Sequence, residues 1–166
     1  MSPHSRDAPS TPQPRRAARE LGIPRHLLIA CGPLGPRLSA TVAANALARG
    51  IRDAGSPEPD ICELPPSDAH GEDARRLLDK LDFDARMRRA RAVVIGAERL
   101  QERTLAGSVT FEIATRARQS GVPAYAVTGN NALNVFDARI LDLQVILEAR
   151  SRSGLIAAAR KLGALS

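Results

Sequence analysis

Apolar positions in this chain fall into two alternating patterns: short unbroken runs, and longer stretches with a period of three to four residues. The unbroken runs are mostly aliphatic and are closed by glycine, proline or polar residues, as expected of strands buried on both faces. They predict five strands, at residues 26–31, 60–64, 92–95, 122–127 and 143–147.

The periodic stretches predict amphipathic helices, because apolar residues three or four positions apart share one helix face. Ser39 is suited to cap the first helix, and Gly121 with Pro123 ends the third. Residues 82–92 are rich in arginine and are interpreted as a basic patch or, as we favour, as a solvated helical turn. The predicted helices cover residues 38–54, 72–81, 108–120 and 153–165.

Strands and helices that alternate in this way predict an α/β fold: a three-layer Rossmann-like domain with about five mainly parallel strands. We assign this domain to residues 25–166. Residues 1–24 are rich in proline and arginine and are predicted to be a disordered tail. Ligands of such sheets bind beyond the carboxyl ends of the strands. The loops at that edge are therefore where chemistry is expected: residues 32–35, 68–71, 96–107 and 129–131.

The amino-acid composition argues against several classes of binding partner. Aromatic residues make up only 2% of the chain, which argues against a protein that stacks nucleic-acid bases on aromatic rings. The net charge of +6 reflects a general excess of arginine, so nucleic acid is not an expected partner. No apolar stretch approaches the roughly 18 residues of a membrane helix. Cys31 and Cys62 lack metal-ligand spacing, so we expect no metal site and two reduced, buried thiols in a cytoplasmic protein.

The loop after the first strand contains Gly32 and Gly35 and leads into a helix. A helix that begins after a glycine turn presents free backbone N–H groups, which suit an anion. The loop lacks the spacing and the lysine of a phosphate-binding loop, and its prolines remove two backbone donors. A tight structural turn is the interpretation that we favour over a phosphate cradle.

The loop after the third strand is dense in polar residues, with Glu98 as a carboxylate and Arg99 and Arg103 as cations. It could bind a ligand, or it could be an ordinary solvated connection in which Ser108 caps the next helix. Residues 68–73 combine acidic side chains with His70. They could hold a divalent cation or supply a base, and the acidic first turn of a helix explains them equally well.

Two segments resemble a known family. Residues 26–51, HLLIACGPLGPRLSATVAANALARGI, resemble the amino-terminal strand, polar loop and helix of the bacterial type II glycerate kinases. Residues 92–129, AVVIGAERLQERTLAGSVTFEIATRARQSGVPAYAVTG, resemble a carboxyl-terminal segment of these kinases that reads GEG-x-LD-x-QT-x-x-GK, a helix and GVPV. In this family the two chain ends build a Rossmann-like domain around an inserted second domain, which this sequence lacks.

The resemblance implies ATP-dependent phosphorylation of glycerate or a similar small hydroxy acid, with ATP and Mg²⁺ as cofactors. It makes Asp68, Glu98 and Ser108 the candidate catalytic residues. The candidates for binding the cofactor or an anionic group are Gly32, Gly35, Arg37, Gly96, Arg99, Thr104 and Gly107.

Several charged residues of the family pattern are replaced in this chain. Gly32 and Gly35 stand where the family has Asp and Lys, Gln101 where it has Asp, and Ser108 where it has Lys. Phosphoryl transfer depends on cations and metal-bound carboxylates, so these replacements predict a degenerate kinase. The alternative is a non-catalytic domain that binds a small anion, a nucleotide or a partner chain, including a second copy of itself.

Overall fold

One parallel sheet organises residues 25–165, which are the residues that the computed structural model describes; the predicted tail lies outside them. All neighbouring strands pair in parallel, in the order β2-β1-β3-β4-β5. The α/β class and the five-stranded Rossmann-like sheet predicted from the sequence are thereby confirmed. The strands are β1 (Leu27–Cys31), β2 (Asp60–Glu63), β3 (Ala92–Leu100), β4 (Ala124–Asn131) and β5 (Leu143–Glu148).

Helices cover both faces of this sheet. The helices α1 and α6 pack on one face, and α2 to α5 pack on the other. No helix among the described residues is long and apolar enough to cross a membrane. The helices are α1 (Ala40–Asp53), α2 (Glu72–Lys80), α3 (Phe83–Arg89), α4 (Val109–Gln119), α5 (Val135–Leu141) and α6 (Arg152–Leu165), with a 3₁₀ turn at Glu102–Ala106.

The unbroken apolar run of β1 follows from this layering. Leu27 and Ile29 face α1 and α6, whereas Leu28 and Ala30 face the opposite layer, and all four are fully buried. Because successive side chains of a strand point to opposite faces, a strand covered on both faces needs apolar residues at every position.

The strand order reverses between β1 and β3, because β2 lies beyond β1 on one side of the sheet, whereas β4 and β5 lie beyond β3 on the other. The chain leaves β1 through α1 on one face, and it leaves β3 through α4 on the other. The connections therefore separate at the carboxyl ends of these two strands, which opens a crevice there. This crevice is the position at which the four candidate loops were expected to meet.

The strand β3 continues to Leu100, five residues beyond its predicted end at residue 95. The sequence prediction stopped the strand at Gly96 because glycine commonly ends regular structure. The structure instead shows a close approach, since a Cβ atom at Gly96 would lie 2.5 Å from the sulfur of Cys31 in β1. Glycine at this position is a packing requirement inside the sheet.

Residues 83–89 form the helix α3, and the predicted solvated turn is only partly correct. Phe83 and Met87 are fully buried, whereas Arg88 and Arg89 are exposed. Arg86 donates two hydrogen bonds, of 2.9 and 2.7 Å, to the Asp60 carboxylate at the start of β2. The arginines of this segment therefore do not act as one patch.

Arg116 ties three helices together on the same face of the sheet. Its side chain, in α4, is only 12% exposed and pairs with Asp79, Asp84 and Glu112 at 2.9 to 3.2 Å. Asp79 lies in α2 and Asp84 in α3, so a single guanidinium fixes these helices relative to α4. Both α2 and α4 begin beside the crevice, and their positions set its walls.

The helix α5 was not predicted from the sequence. Its exposed side chains include the apolar residues Val135, Phe136 and Ile140, and only Leu141 is buried. With the apolar residues turned outward, the segment lacks the inward stripe by which helices are recognised in a sequence.

The helices α1 and α6 pack through glycine. A Cβ atom at Gly50 would lie 2.2 Å from the backbone oxygen of Ile156 and 2.7 Å from the Cβ atom of Ala159. We expect Gly50→Ala to lower the free energy of unfolding by about 2 kcal/mol, because an added methyl group must push the helices apart. Urea denaturation measures this change. Arg49→Ala, at the exposed neighbouring position, is the control and should stay within about 0.5 kcal/mol of the wild type.

The Arg86–Asp60 pair makes stability depend on pH. The hydrogen bonds from Arg86 hold the pKa of Asp60 below its ordinary value of 3.8. The contribution of the pair is therefore complete above that value and is lost as the pH falls through the lower pKa of the folded state. We expect the melting temperature of Asp60→Asn to lie below that of the wild type at pH 7 and to converge with it near pH 2. Glu148→Gln, at an exposed position without such a partner among residues 25–165, should show no such convergence.

Candidate functional site

The carboxyl edge of the sheet carries a groove made of three adjoining depressions, all lined by Arg99 and Gln101. The β2-side depression, of about 500 Å³, is also lined by Asp68, His70, Arg103, Thr104 and Ser108. The central depression, of about 430 Å³, adds Gly32, Gly96 and Glu98. The β5-side depression, of about 610 Å³, is lined by Leu34, Glu98, Gly129, Asn130 and Arg150.

The extended ends of β3 and β4 place Arg99 in the middle of this groove. Arg99 pairs with Asn130 in the register of β3 and β4, three residues beyond Gly96, which is the last residue of β3 that pairs with β1. A two-stranded ribbon thus projects past the main sheet, and depressions form on its two sides. The first residues of the polar loop predicted after the third strand, up to Leu100, therefore belong to the sheet.

The loop at residues 67–71 is fastened to the start of α4. The backbone N–H of Gly71 donates to the oxygen of Gly107 at 2.8 Å, and His70 forms a bridge with Ser108. Gly107 has a φ of +86°, and a Cβ atom there would lie 3.3 Å from the Gly71 nitrogen, so glycine is required. This fastening brings Asp68 into the same depressions as Arg99.

Thr104 and Ser108 line the groove while their hydroxyl groups hold its wall together. The Thr104 hydroxyl accepts a hydrogen bond from the backbone of Gln101 at 3.1 Å. The Ser108 hydroxyl accepts from the backbone N–H of Phe111 and donates to the backbone oxygen of Thr104 at 2.8 Å. The expectation that Ser108 caps the helix is confirmed. Its predicted catalytic role stays a prediction.

The residues of the loop after β1 differ in how they relate to the groove. The N–H of Gly32 donates to the oxygen of Gly96 at 3.1 Å, so this donor is committed to the turn. Gly35 has a φ of +105°, and a Cβ atom there would lie 3.9 Å from the Glu98 carboxylate. Arg37 is exposed and lines none of the three depressions. The favoured interpretation of this loop as a tight turn agrees with these contacts.

Arg150 and Asn130 belong to the groove, although the sequence analysis assigned them no role. Arg150 follows β5, and its Nε donates to the oxygen of Gly129 at 2.8 Å. Asn130 was noted only as part of a strand end. Both residues lie three positions after the end of a predicted strand, so their position at the carboxyl edge was the available signal.

The two cysteines are free and buried, and both lie outside the chemistry of the groove. Burial raises the pKa of the Cys31 thiol to about 12, and the nearby Glu63 carboxylate adds to this rise. Burial also raises the pKa of Cys62. Both thiols are therefore neutral at physiological pH, which excludes them as thiolate nucleophiles.

The charges that line the groove suit anionic ligands. Arg99, Arg103 and Arg150 supply cations, and guanidinium groups bind carboxylates and phosphates with paired hydrogen bonds. Asp68 and Glu98 supply carboxylates that can accept a proton or bind a hard cation. Among residues 25–165, no group of three or more His, Cys, Asp or Glu side chains forms a metal centre by itself.

Comparisons with solved structures found chains of related shape at low identity. The diflavin flavoprotein A3 of Nostoc sp. is 14% identical, with a TM-score of 0.44, over 84% of this chain and 91% of that one. The "putative glycerate kinase 2" of Salmonella typhimurium LT2 is 15% identical, with a TM-score of 0.42, over 84% of this chain and 47% of that one. This chain thus spans less than half of the Salmonella protein.

A third structure, the NAD(P)H:quinone oxidoreductase of Methanothermobacter marburgensis, is 12% identical with a TM-score of 0.44. It is matched over 85% of this chain and 98% of its own. A comparison with curated protein sequences gave no match.

The family comparison gives the clearest result. Residues 69–159 match the model of the glycerate kinase family. The matched range includes the extended end of β3, the fastened start of α4 and Arg150, and therefore most of the groove. Because this match covers more than half of the chain, we conclude that the chain belongs to the glycerate kinase family.

Proposed function

We propose that this chain binds ATP and a small hydroxy acid such as glycerate in the carboxyl-edge groove, and that it transfers a phosphoryl group between them as a degenerate kinase. The observation that carries the proposal is the convergence of three depressions on Arg99, with Asp68 and Glu98 lining the same groove. Membership of the glycerate kinase family supports it. The proposal also assigns the chain to the cytoplasm, where ATP is available.

The residues of the groove fit the cofactors of this reaction. Arg99 and Arg103 would hold the phosphates of ATP from the β2-side depression. Mg²⁺ is usually bound through one or two carboxylates together with substrate phosphates, and Asp68, which lines the β2-side depression with Arg99 and Arg103, is the residue that would hold it. The ion supplies charge neutralisation on the phosphates when it is bound.

The chain's own residues would act by position and by charge. Arg99 lies between the two outer depressions, where its guanidinium can neutralise charge on the group that is transferred. Glu98 lines both the central and the β5-side depression, so it can accept the proton of a hydroxyl group bound there. Binding of the two substrates side by side would supply most of the rate enhancement.

A second candidate function is non-catalytic binding of a small anion or a nucleotide. The observation in its favour is that the hydroxyls of Thr104 and Ser108 and the N–H of Gly32 are committed to the fold. No lysine lines the three depressions. Both proposals require the arginines of the groove to bind anions. They differ in whether the bound substrates are converted to product.

Arg99→Gln tests the binding step that both candidates share. We expect ATP with Mg²⁺ and D-glycerate to raise the melting temperature of the wild type, because both bind only the folded state. Removal of the cation common to all three depressions should abolish most of that rise, as measured by thermal shift. Arg139→Gln, an exposed position in α5 outside the groove, should respond like the wild type. Equal responses in the two variants would contradict the placement of ligands at Arg99.

Glu98→Gln tests catalysis. The assay follows the formation of phosphoglycerate from ATP, Mg²⁺ and D-glycerate. We expect the substitution to lower turnover by about 100-fold while the amide preserves the shape of the carboxylate. Glu148→Gln is the matched control and should leave turnover unchanged. If the wild type binds both substrates yet its turnover does not exceed that of Glu98→Gln, non-catalytic binding is the correct function.

A further inference from the structure

The β5-side depression differs from the β2-side depression in the groups that it offers. Within residues 25–165, the guanidinium of Arg99 and the side-chain amide of Asn130 make no hydrogen bond or ion pair with the protein. Arg150 uses its Nε to bind the oxygen of Gly129, and its terminal amino groups have no partner in the same part of the chain. Three donor groups are therefore available in one depression.

The bond to Gly129 orients Arg150. A guanidinium whose Nε is already engaged can still offer its two terminal amino groups side by side, which is the arrangement that a carboxylate accepts. The anchor also reduces the number of conformations that the long side chain must give up when it binds a ligand.

Glu98 in the same depression decides which anion fits. A phosphate group carries up to two negative charges, so the Glu98 carboxylate would repel it more strongly than it would repel a singly charged carboxylate. A hydroxyl group, by contrast, can donate a hydrogen bond to Glu98. Leu34, which is buried at 7% exposure, gives the depression an apolar wall against which a short carbon chain can lie.

We propose that Arg150 and Asn130 form a carboxylate subsite, separate from the phosphate-binding side of the groove, which holds the acid group of a small hydroxy acid with its hydroxyl turned towards Glu98. This inference rests on the proposed function for the identity of the substrate. It assigns Arg150 as the residue that binds the acid group, which uncharged alcohols lack, and Glu98 as the residue that disfavours phosphates.

The test measures the binding of two probes to the full chain by calorimetry: D-glycerate, and ATP with Mg²⁺. We expect Arg150→Gln to raise the dissociation constant of D-glycerate at least about tenfold, because a charged bidentate contact is lost. The dissociation constant of ATP should change by less than about twofold. Arg152→Gln is the control, since Arg152 is exposed two residues away and lines none of the three depressions.

Two further variants separate charge from geometry. Arg150→Lys keeps the charge without the paired donors and should recover only part of the affinity. Asn130→Ala should weaken D-glycerate binding by a smaller factor than Arg150→Gln and leave ATP binding unchanged. Glycerol, which lacks the carboxylate, should bind the wild type and Arg150→Gln equally weakly.

The outcomes distinguish this inference from the proposed function. Arg150-dependent binding of D-glycerate without ATP binding or turnover would support the subsite and contradict the kinase. An equal loss of glycerate and ATP affinity in Arg150→Gln, an equal effect of Arg152→Gln, or no carboxylate binding by the wild type would each overturn the subsite. ATP binding in that last case would leave the nucleotide part of the proposed function standing.

Discussion

The close approach of β1 and β3 at Gly96 is the constraint on which the rest of the structure depends. The sulfur of Cys31 occupies the space that any side chain at position 96 would need. These two strands form the centre of the sheet, and the connections on its two faces separate at their carboxyl ends. A wider spacing there would displace the ribbon of β3 and β4 that carries Arg99. The geometry of the groove is thus set by a contact between Cys31 and Gly96, neither of which brings a charge to the groove.

The packing of the helices against one another fixes the walls of the groove in the same way. On one face, Gly50 and Gly163 let α1 and α6 lie against each other almost backbone to backbone. On the other face, Arg116 adds ion pairs that join α2, α3 and α4. These ion pairs lie beside an apolar cluster that the same helices share through Leu78, Phe83 and Ile113. Each layer is fixed by the kind of residue that its helices present.

The sequence predicted the layers well and the groove only in part. Five strands and four helices were readable because burial on both faces or on one stripe leaves a periodic apolar signal. Gly96 misled the prediction of where β3 ends, because a glycine required by packing looks like a glycine that ends a strand. The helix α5 was not predicted, because its apolar residues Val135, Phe136 and Ile140 face outward and leave no apolar stripe towards the core. Asp68, Glu98 and Arg99 could be found from their loops. Arg150 had only its position after a predicted strand as a signal, because its nearness to Arg99 follows from the strand order.

The buried thiol beneath the groove has one more consequence. Because Cys31 is fully buried and its pKa is about 12, an alkylating reagent cannot react with it in the closed sheet. Reaction requires the packing around Cys31 to open, so the rate of alkylation at this sulfur measures that local opening. If the proposed ligands bind in the groove and favour the closed form, they would slow this reaction by the same ratio. Alkylation of Cys31 would then report their binding without any label on the ligand.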